Sequence, residues 1–287
     1  MRAPKYYTAF RCLADACAHS CCVGWEIDVD EDTLSFYHSL GTPFGEEILR
    51  GIVQEDEGAH FVLCPNGKCP NLDARGLCRI ISALGDSALC DICREHPRFY
   101  NEVAGDIEVG VGVACEAAAR LVLSCDEYDE IIPIDEACEP SDVSFDARVP
   151  RAALYAQLRE RNLPYEERRD KICRAYGFVW EAEVAFGRLS SLEYMEQAHR
   201  ARLLQVVGRG REGADEIACE RLFAYLVYRH ASAATSEETF DAAVRMALFV
   251  EEVFARLMAT GMDAVSAAIL LSEEIEYSEE NTAALTQ

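Results

Sequence analysis

The chain has 287 residues, half of them apolar, and a formal net charge of −24. That is enough apolar material for one large domain or two modest ones. The acidic balance repels phosphate backbones and excludes nucleic acid as an expected partner.

The acid is uneven: residues 1–150 carry 11 basic and 28 acidic side chains, and residues 151–287 carry 16 and 23. No transmembrane segment is expected. The richest apolar run, "AAVRMALFVEEVFARLMA", is broken by Arg245, Glu251, Glu252 and Arg256, and a span needs about 18 largely uninterrupted apolar residues. The opening "MRAPKYYTAFRC" has positive charge but no apolar core of a secretory signal, so a cytoplasmic location is expected. That compartment is reducing, and fourteen cysteines there do not read as a disulfide framework.

In chain order, partial alternation and β-formers predict short strands in "VGWEIDV", "HFVLC" and "DIEVGVGVAC". Short helices are expected within 31–54 and 79–95. Residues 124–150, acidic and holding Pro133, Pro140 and Pro150, read as a linker or long wrapping loop. Helical spacing follows over 166–189 and 190–207. It continues in "EIACERLFAYLVYRH", with a stripe of Ile217, Leu222, Leu226 and Val227, and in 241–259, where Met246, Val250, Val253, Phe254 and Leu257 form one apolar face. The expected fold class is α+β, mainly α. Residues 1–123 form a cysteine-rich metal- or cluster-binding region with a few short strands, 124–150 link, and 151–287 form a helical region.

Ten of the fourteen cysteines fall between residues 12 and 115. Cys12, Cys17, Cys21 and Cys22 crowd one segment. Cys64, Cys69 and Cys78 flank turns, Cys90 and Cys93 form a C-x-x-C pair, and Cys115 follows. Thiolates two to four residues apart in a turn can face one metal ion. Soft thiolates select zinc or iron–sulfur clusters, and the spacing leaves both open. Nine or ten clustered thiols exceed one tetrahedral zinc site, which favours the cluster mildly. Cys173 and Cys219, on helical stretches, are expected to pack as small hydrophobes, as are Cys125 and Cys138 of the linker.

Three blocks carry a resemblance. "FRCLADACAHSCCVGWEIDVDEDTLSFY", "CPNLDARGLCRIISALGDSALCDICREHPRFY" and "GVACEAAARLVL" resemble the flagellin lysine-N-methylase family, and "LFAYLVYRH" and "LSEEIEYSEENTAAL" are similar to its helical C-terminal half. The resemblance implies S-adenosylmethionine-dependent methylation of protein lysines, with flagellin as partner and a four-iron four-sulfur (4Fe-4S) cluster. The motif cysteines are then Cys12, Cys17, Cys21, Cys22, Cys69, Cys78, Cys90, Cys93 and Cys115, and Cys64 stands outside them. His96 replaces the family's usual Tyr or Phe, and Asn71 its usual Phe. Short relatives described only as zinc- or iron-chelating make a non-catalytic scaffold module the alternative.

Around the cysteines, Arg94 and Arg98 can neutralise thiolates or hold a cofactor carboxylate, with a local salt bridge as the structural alternative. Trp25 can offer its face to a sulfonium or ammonium ion, or pack beside the metal site. The lysine amine needs a base, since its usual pKa is about 10.4, and Glu116 and His96 are the candidates. His19 reads as a bystander among thiolates. Gly110-x-Gly112 lacks the third glycine of a dinucleotide loop. "DVDEDT" lacks the glycine and the bidentate glutamate of a calcium loop, and both readings are rejected.

Overall fold

A computed structural model describes residues 1–18, 20–25, 27–56, 58–135 and 144–287. His19 and Cys138 lie outside the described residues. The chain is 54% helical and 12% strand, an α+β fold that is mainly α. Among the described residues no helix is long and apolar enough to cross a membrane. The structure divides into two compact units: Cys12–Pro97, and Met1–Arg11 together with Arg98–Gln287.

Strand β1 (Arg2–Pro4) belongs to the larger unit. The smaller unit follows, with β2 (Ile27–Val29), α1 (Glu31–Ser39), α2 (Pro43–Arg50), β3 (Ile52–Glu55), β4 (Gly58–Phe61), α3 (Arg79–Leu84) and α4 (Asp91–Glu95). The short helices expected within 31–54 are α1 and α2, separated because Gly41 takes φ +57° and because a residue before proline avoids helical angles, which ends α1 before Thr42-Pro43. Thr42 then caps α2, with Pro43 in its first turn. Gly85, at φ +90°, likewise divides the 79–95 stretch. The strands form an antiparallel sheet in the order β2-β4-β3. Its core is Ile27, Val29, Tyr37, Ile48, Phe61, Ile80 and Leu89, joined by Cys69 and Cys90. Asp30 ties two helices. Its carboxylate accepts the Thr33 N–H at the start of α1 and the Asp91 N–H at the start of α4, at 2.8 and 2.9 Å.

The larger unit resumes with β5 (Arg98–Val103), β6 (Asp106–Val111), α5 (Glu116–Ser124) and β7 (Ile131–Pro133). Ala104 and Gly105, both at positive φ, make the β5–β6 hairpin turn. The sheet order is β5-β6-β1-β7, with β1 parallel to β6 and antiparallel to β7. Val103, Val111 and Val113 belong to the same buried core as the helices. That is why the residues after Pro97 fold with the helical part and not with the cysteine-rich part. The expected linker, where described, supplies β7 and the start of α6 (Arg148–Leu158).

Six more helices build the rest of this unit before its last turn: α7 (Tyr165–Ala175), α8 (Ala182–Ser191), α9 (Gln197–Val206), α10 (Glu216–Leu226), α11 (Glu237–Ala259) and α12 (Ala264–Leu271). The final helix is α13 (Glu279–Thr286). Gly177, at φ +65°, separates α7 from α8. The expected stripe of α11 is buried as read, but Glu251, Glu252 and Arg256 are buried too. Arg169 and Arg211 each reach both Glu251 and Glu252, and Arg256 meets Glu252. Three of the four charges that break the apolar run, Glu251, Glu252 and Arg256, are thus paired inside the core. Ile217 departs from its expected stripe: it is exposed, while Leu222, Leu226 and Val227 are buried.

Two segments depart from α-helical winding. Val227–Ala231, after α10, and Ser272–Glu276, after α12, are single π-helical turns.

Candidate metal centre

Nine cysteines lie in the smaller unit: Cys12, Cys17, Cys21, Cys22, Cys64, Cys69, Cys78, Cys90 and Cys93. No disulfide joins the described cysteines. Three local devices bring most of them together.

The first is a backbone seam. The Cys69 N–H donates to the Cys22 carbonyl and the Gly24 N–H to the Gly67 carbonyl, each at 2.9 Å. Gly24 and Gly67 both take positive φ, which lets the two segments turn into this seam. The second is the loop between Cys69 and Cys78. The Asp73 carboxylate accepts the Arg75 and Leu77 N–H groups at 2.8 and 2.9 Å, an Asx turn that folds the chain back. Leu72 and Cys78 then pair as an isolated bridge. The third is α4. Cys90 is its N-cap residue, and the Cys93 N–H donates to the Cys90 carbonyl at 3.1 Å, so one turn carries both thiols.

The result is one thiol group drawn from three sequence blocks. Cys69 and Cys90 are buried, and Cys22, Cys78 and Cys93 pack against the same core. The Cys21 and Cys22 sulfurs lie 4.0 Å apart. The Cys22 thiol is pushed well up by its hydrogen bond with Cys21, by burial, and by Cys69 and Cys78. Cys93 is pushed well up by Cys90, by burial, and by Cys22 and Cys69. Cys90 is held down by its hydrogen bond with Cys93, against burial. Burial raises Cys69, whose sulfur lies 4.0 Å from the Asn71 amide nitrogen. A buried amide donating to sulfur replaces the phenyl ring expected at position 71, and hydrogen bonds to sulfur tune thiolate-bound centres.

Crowded thiols that keep one another protonated are relieved when a thiophilic cation replaces the protons. The donor chemistry therefore fits such a centre. Among the described residues no three His, Cys, Asp or Glu side chains are arranged to hold a metal ion. A metal bound here would require deprotonation and reorientation of these side chains.

The other expected site residues fall as follows. Cys12 is exposed, and its sulfur accepts the Ala14 N–H at 3.4 Å; Cys12 and Cys17 lie outside the packed core of the unit. Trp25 donates from its indole N–H to the Cys21 carbonyl at 2.8 Å and stacks on His96, ring centres 6.1 Å apart. Arg94 pairs with Asp91 and donates to the Leu89 carbonyl. Arg98 and Glu116 belong to the larger unit. Arg98 donates to the Tyr7 hydroxyl at 3.0 Å, and buried Glu116 pairs with Arg120 one turn along α5. Cys115, at the N-cap of α5, is half-buried against the core of the larger unit. Cys173 and Cys219 are buried packing residues, as expected.

No family model matches the chain, and no solved structure matches it significantly. Curated relatives do. The "Flagellar biosynthetic protein FliU" of Salmonella muenchen is 28% identical over 131 residues, 42% of this chain and 75% of that protein. A "Lysine-N-methylase" of Salmonella typhimurium and another of Salmonella choleraesuis are each 28% identical over 127 residues, again 42% of this chain. The matched region spans 32% of the length of these two methylases. Over 42% of its length this chain is similar to proteins named lysine-N-methylase and FliU, as its resemblance to the flagellin lysine-N-methylase family leads one to expect.

Proposed function

We propose that this chain is a metal-dependent protein-lysine methylase, which moves a methyl group from S-adenosylmethionine to lysine side chains, with flagellin as the expected acceptor. The observation that carries this reading is the convergence of Cys21, Cys22, Cys69, Cys78, Cys90 and Cys93, in a chain similar over 42% of its length to a protein named lysine-N-methylase. These six, with Cys12 and Cys17 on the preceding segment, are the proposed ligands of an iron–sulfur cluster, or of zinc. When bound, such a centre supplies a Lewis-acidic or redox-active anchor for a small cofactor. The chain's own contribution is to hold the thiols in a partly buried setting in which the Asn71 amide meets the Cys69 sulfur and Trp25 binds the Cys21 carbonyl.

A non-catalytic chelating module is the second reading. It is favoured by the match extending over only about a third of the methylases' length. One experiment separates the two. Protein purified without oxygen is assayed for iron, sulfide and zinc, then incubated with methyl-labelled S-adenosylmethionine and flagellin. Metal content with label on lysine supports the enzyme. Metal content without label on flagellin or any protein of a cell extract leaves the module.

A further inference from the structure

The strongest site outside the cysteine unit is in the larger one, where the two π-helical turns meet. His230 Nε2 lies 2.9 Å from a Glu276 carboxylate oxygen, and Arg229 reaches the same oxygen at 3.4 Å. Each turn is pinned from outside. The Asn101 amide on β5 donates to the Tyr228 and Arg229 carbonyls at 3.3 and 2.9 Å. The Asn281 amide on α13 donates to the Glu274 carbonyl at 2.7 Å. Inserted turns of this kind cost helical hydrogen-bond geometry and cluster at functional sites. Two of them facing each other, each held by an asparagine, point to a built arrangement.

From these contacts we infer that His230 is the general base that deprotonates the acceptor lysine, with Glu276 as its positioning residue. The inference rests on the methylase reading.

Glu276 is an ionised acceptor: burial pushes its carboxyl up, but the Arg229 charge and the His230 hydrogen bond hold it at about 2. The hydrogen of neutral His230 must then sit on Nε2, facing Glu276, which leaves the lone pair on Nδ1. Among the described residues Nδ1 has no hydrogen bond. Burial lowers the His230 pKa more than Glu276 raises it, so the neutral base prevails near neutral pH. The other charged and titratable groups here are Arg229, the Tyr225 hydroxyl that accepts from it, and Tyr277, which Cys115 influences.

The Arg229 guanidinium lies between the Phe99 and Tyr277 rings, 5.0 and 4.9 Å from their centres. The His230 and Arg229 side chains keep 14% and 11% of their surface, and Tyr277 is 47% exposed, so the site opens to solvent at Tyr277. The step balances as follows. Nδ1 takes one proton from the lysine ammonium. The freed amine lone pair forms the N–C bond to the methyl group of a sulfonium donor, and the C–S bond electrons pass to sulfur, leaving a neutral thioether. The methylated ammonium then releases its second proton to water.

The test uses the full-length protein, metal-loaded, with labelled S-adenosylmethionine and flagellin. Its variants are His230→Gln, Glu276→Gln and His230→Ala. Folding is checked by circular dichroism, and donor binding by calorimetry. Wild type should methylate lysine with a rate that rises with pH through one ionisation. That ionisation should match the His230 titration followed by NMR. His230→Gln should lose roughly 100-fold or more in rate, the usual contribution of a general base, and lose that pH limb while binding the donor as before. Imidazole should restore part of the His230→Ala rate. A folded, donor-binding His230→Gln protein with the wild-type rate and pH profile overturns the inference and leaves the methylase reading standing. A wild type that methylates no protein lysine overturns both.

Discussion

Arg151 of α6 grips the Glu108 carboxylate of β6 with both ends of its guanidinium, at 2.5 and 2.8 Å, and both side chains are buried. Arg151 also donates to Ser232, and its guanidinium lies 5.1 Å from the Tyr228 ring centre. The pair therefore ties the sheet, α6 and the π-helical turn after α10 together. Removing one partner leaves the other charge buried and unmatched, a loss of about 3–5 kcal/mol. Arg151→Met and Glu108→Gln should each lower the unfolding free energy from urea titration by that amount. The double variant Arg151→Met/Glu108→Leu should cost less than the sum. Additive losses in equilibrium unfolding would mean the two residues do not act as a pair.

A second prediction separates the cysteines. Cys173 and Cys219 are buried in the helical core, and Cys219 has its thiol pushed well up by burial. Cys173→Ala and Cys219→Ala should lower stability by about 1–2 kcal/mol through lost packing and leave metal content unchanged. Cys22→Ala, Cys69→Ala and Cys93→Ala should reduce iron or zinc per chain. Equal metal loss in both groups would contradict the proposed ligand set.

Metal removal should act mainly on the smaller unit. Its core is short, with three strands and four brief helices, and it contains the thiols themselves. Small cores often depend on a metal for stability. Chelation under reducing conditions should raise amide hydrogen exchange within Cys12–Pro97 and spare α10 and α11. Uniform deprotection of the whole chain would speak against this division.

Acid sensitivity follows from Glu276. Its folded pKa, about 2, lies below its ordinary 4.5. A depressed carboxyl contributes stability that is complete above the ordinary value and is lost as pH falls toward the folded one. The window is therefore about pH 5 down to about pH 2. At 1.36 kcal/mol per pKa unit the contribution is about 3 kcal/mol. The stability gap between wild type and Glu276→Gln should be wide at pH 7 and shrink on acidification. A gap of constant size in urea titrations at pH 7 and pH 4 would refute the assignment.

Packing around Gly110 gives a further expectation. A Cβ at this position would come 2.3 Å from the Phe99 ring, and that ring is braced by Tyr225 and Tyr228. Gly110→Ala should cost about 1–3 kcal/mol by overpacking. Phe99→Leu in the same chain should recover part of the loss. A melting temperature unchanged in Gly110→Ala would show that Phe99 moves freely.

Residue type and spacing alone, without any tertiary partner, were enough to mark the clustered cysteines, the buried Cys173 and Cys219 and the apolar stripe of α11. Ligand spacing and helical periodicity are local properties, written within a few residues of each other. The sequence also marked a change from cysteine-rich to helical, but not where the units divide. That division depends on the valines of β5 and β6 packing with helices more than a hundred residues later, a preference with no local signature. For the same reason β1 and β7 escaped notice. Each is three residues long, and Arg2 pairs with Pro133 across the length of both regions. Glu251 and Glu252 showed in the sequence only as breaks in an apolar run, because their partners Arg169 and Arg211 lie about forty to eighty residues away. His230 and Glu276 lie in two blocks likened to the family's helical half, with no role given to either. Only the meeting of two π-helical turns, each held by a distant asparagine, sets that histidine against that carboxylate, because burial and an unpaired ring nitrogen are decided by what packs around a residue and not by its neighbours in the chain.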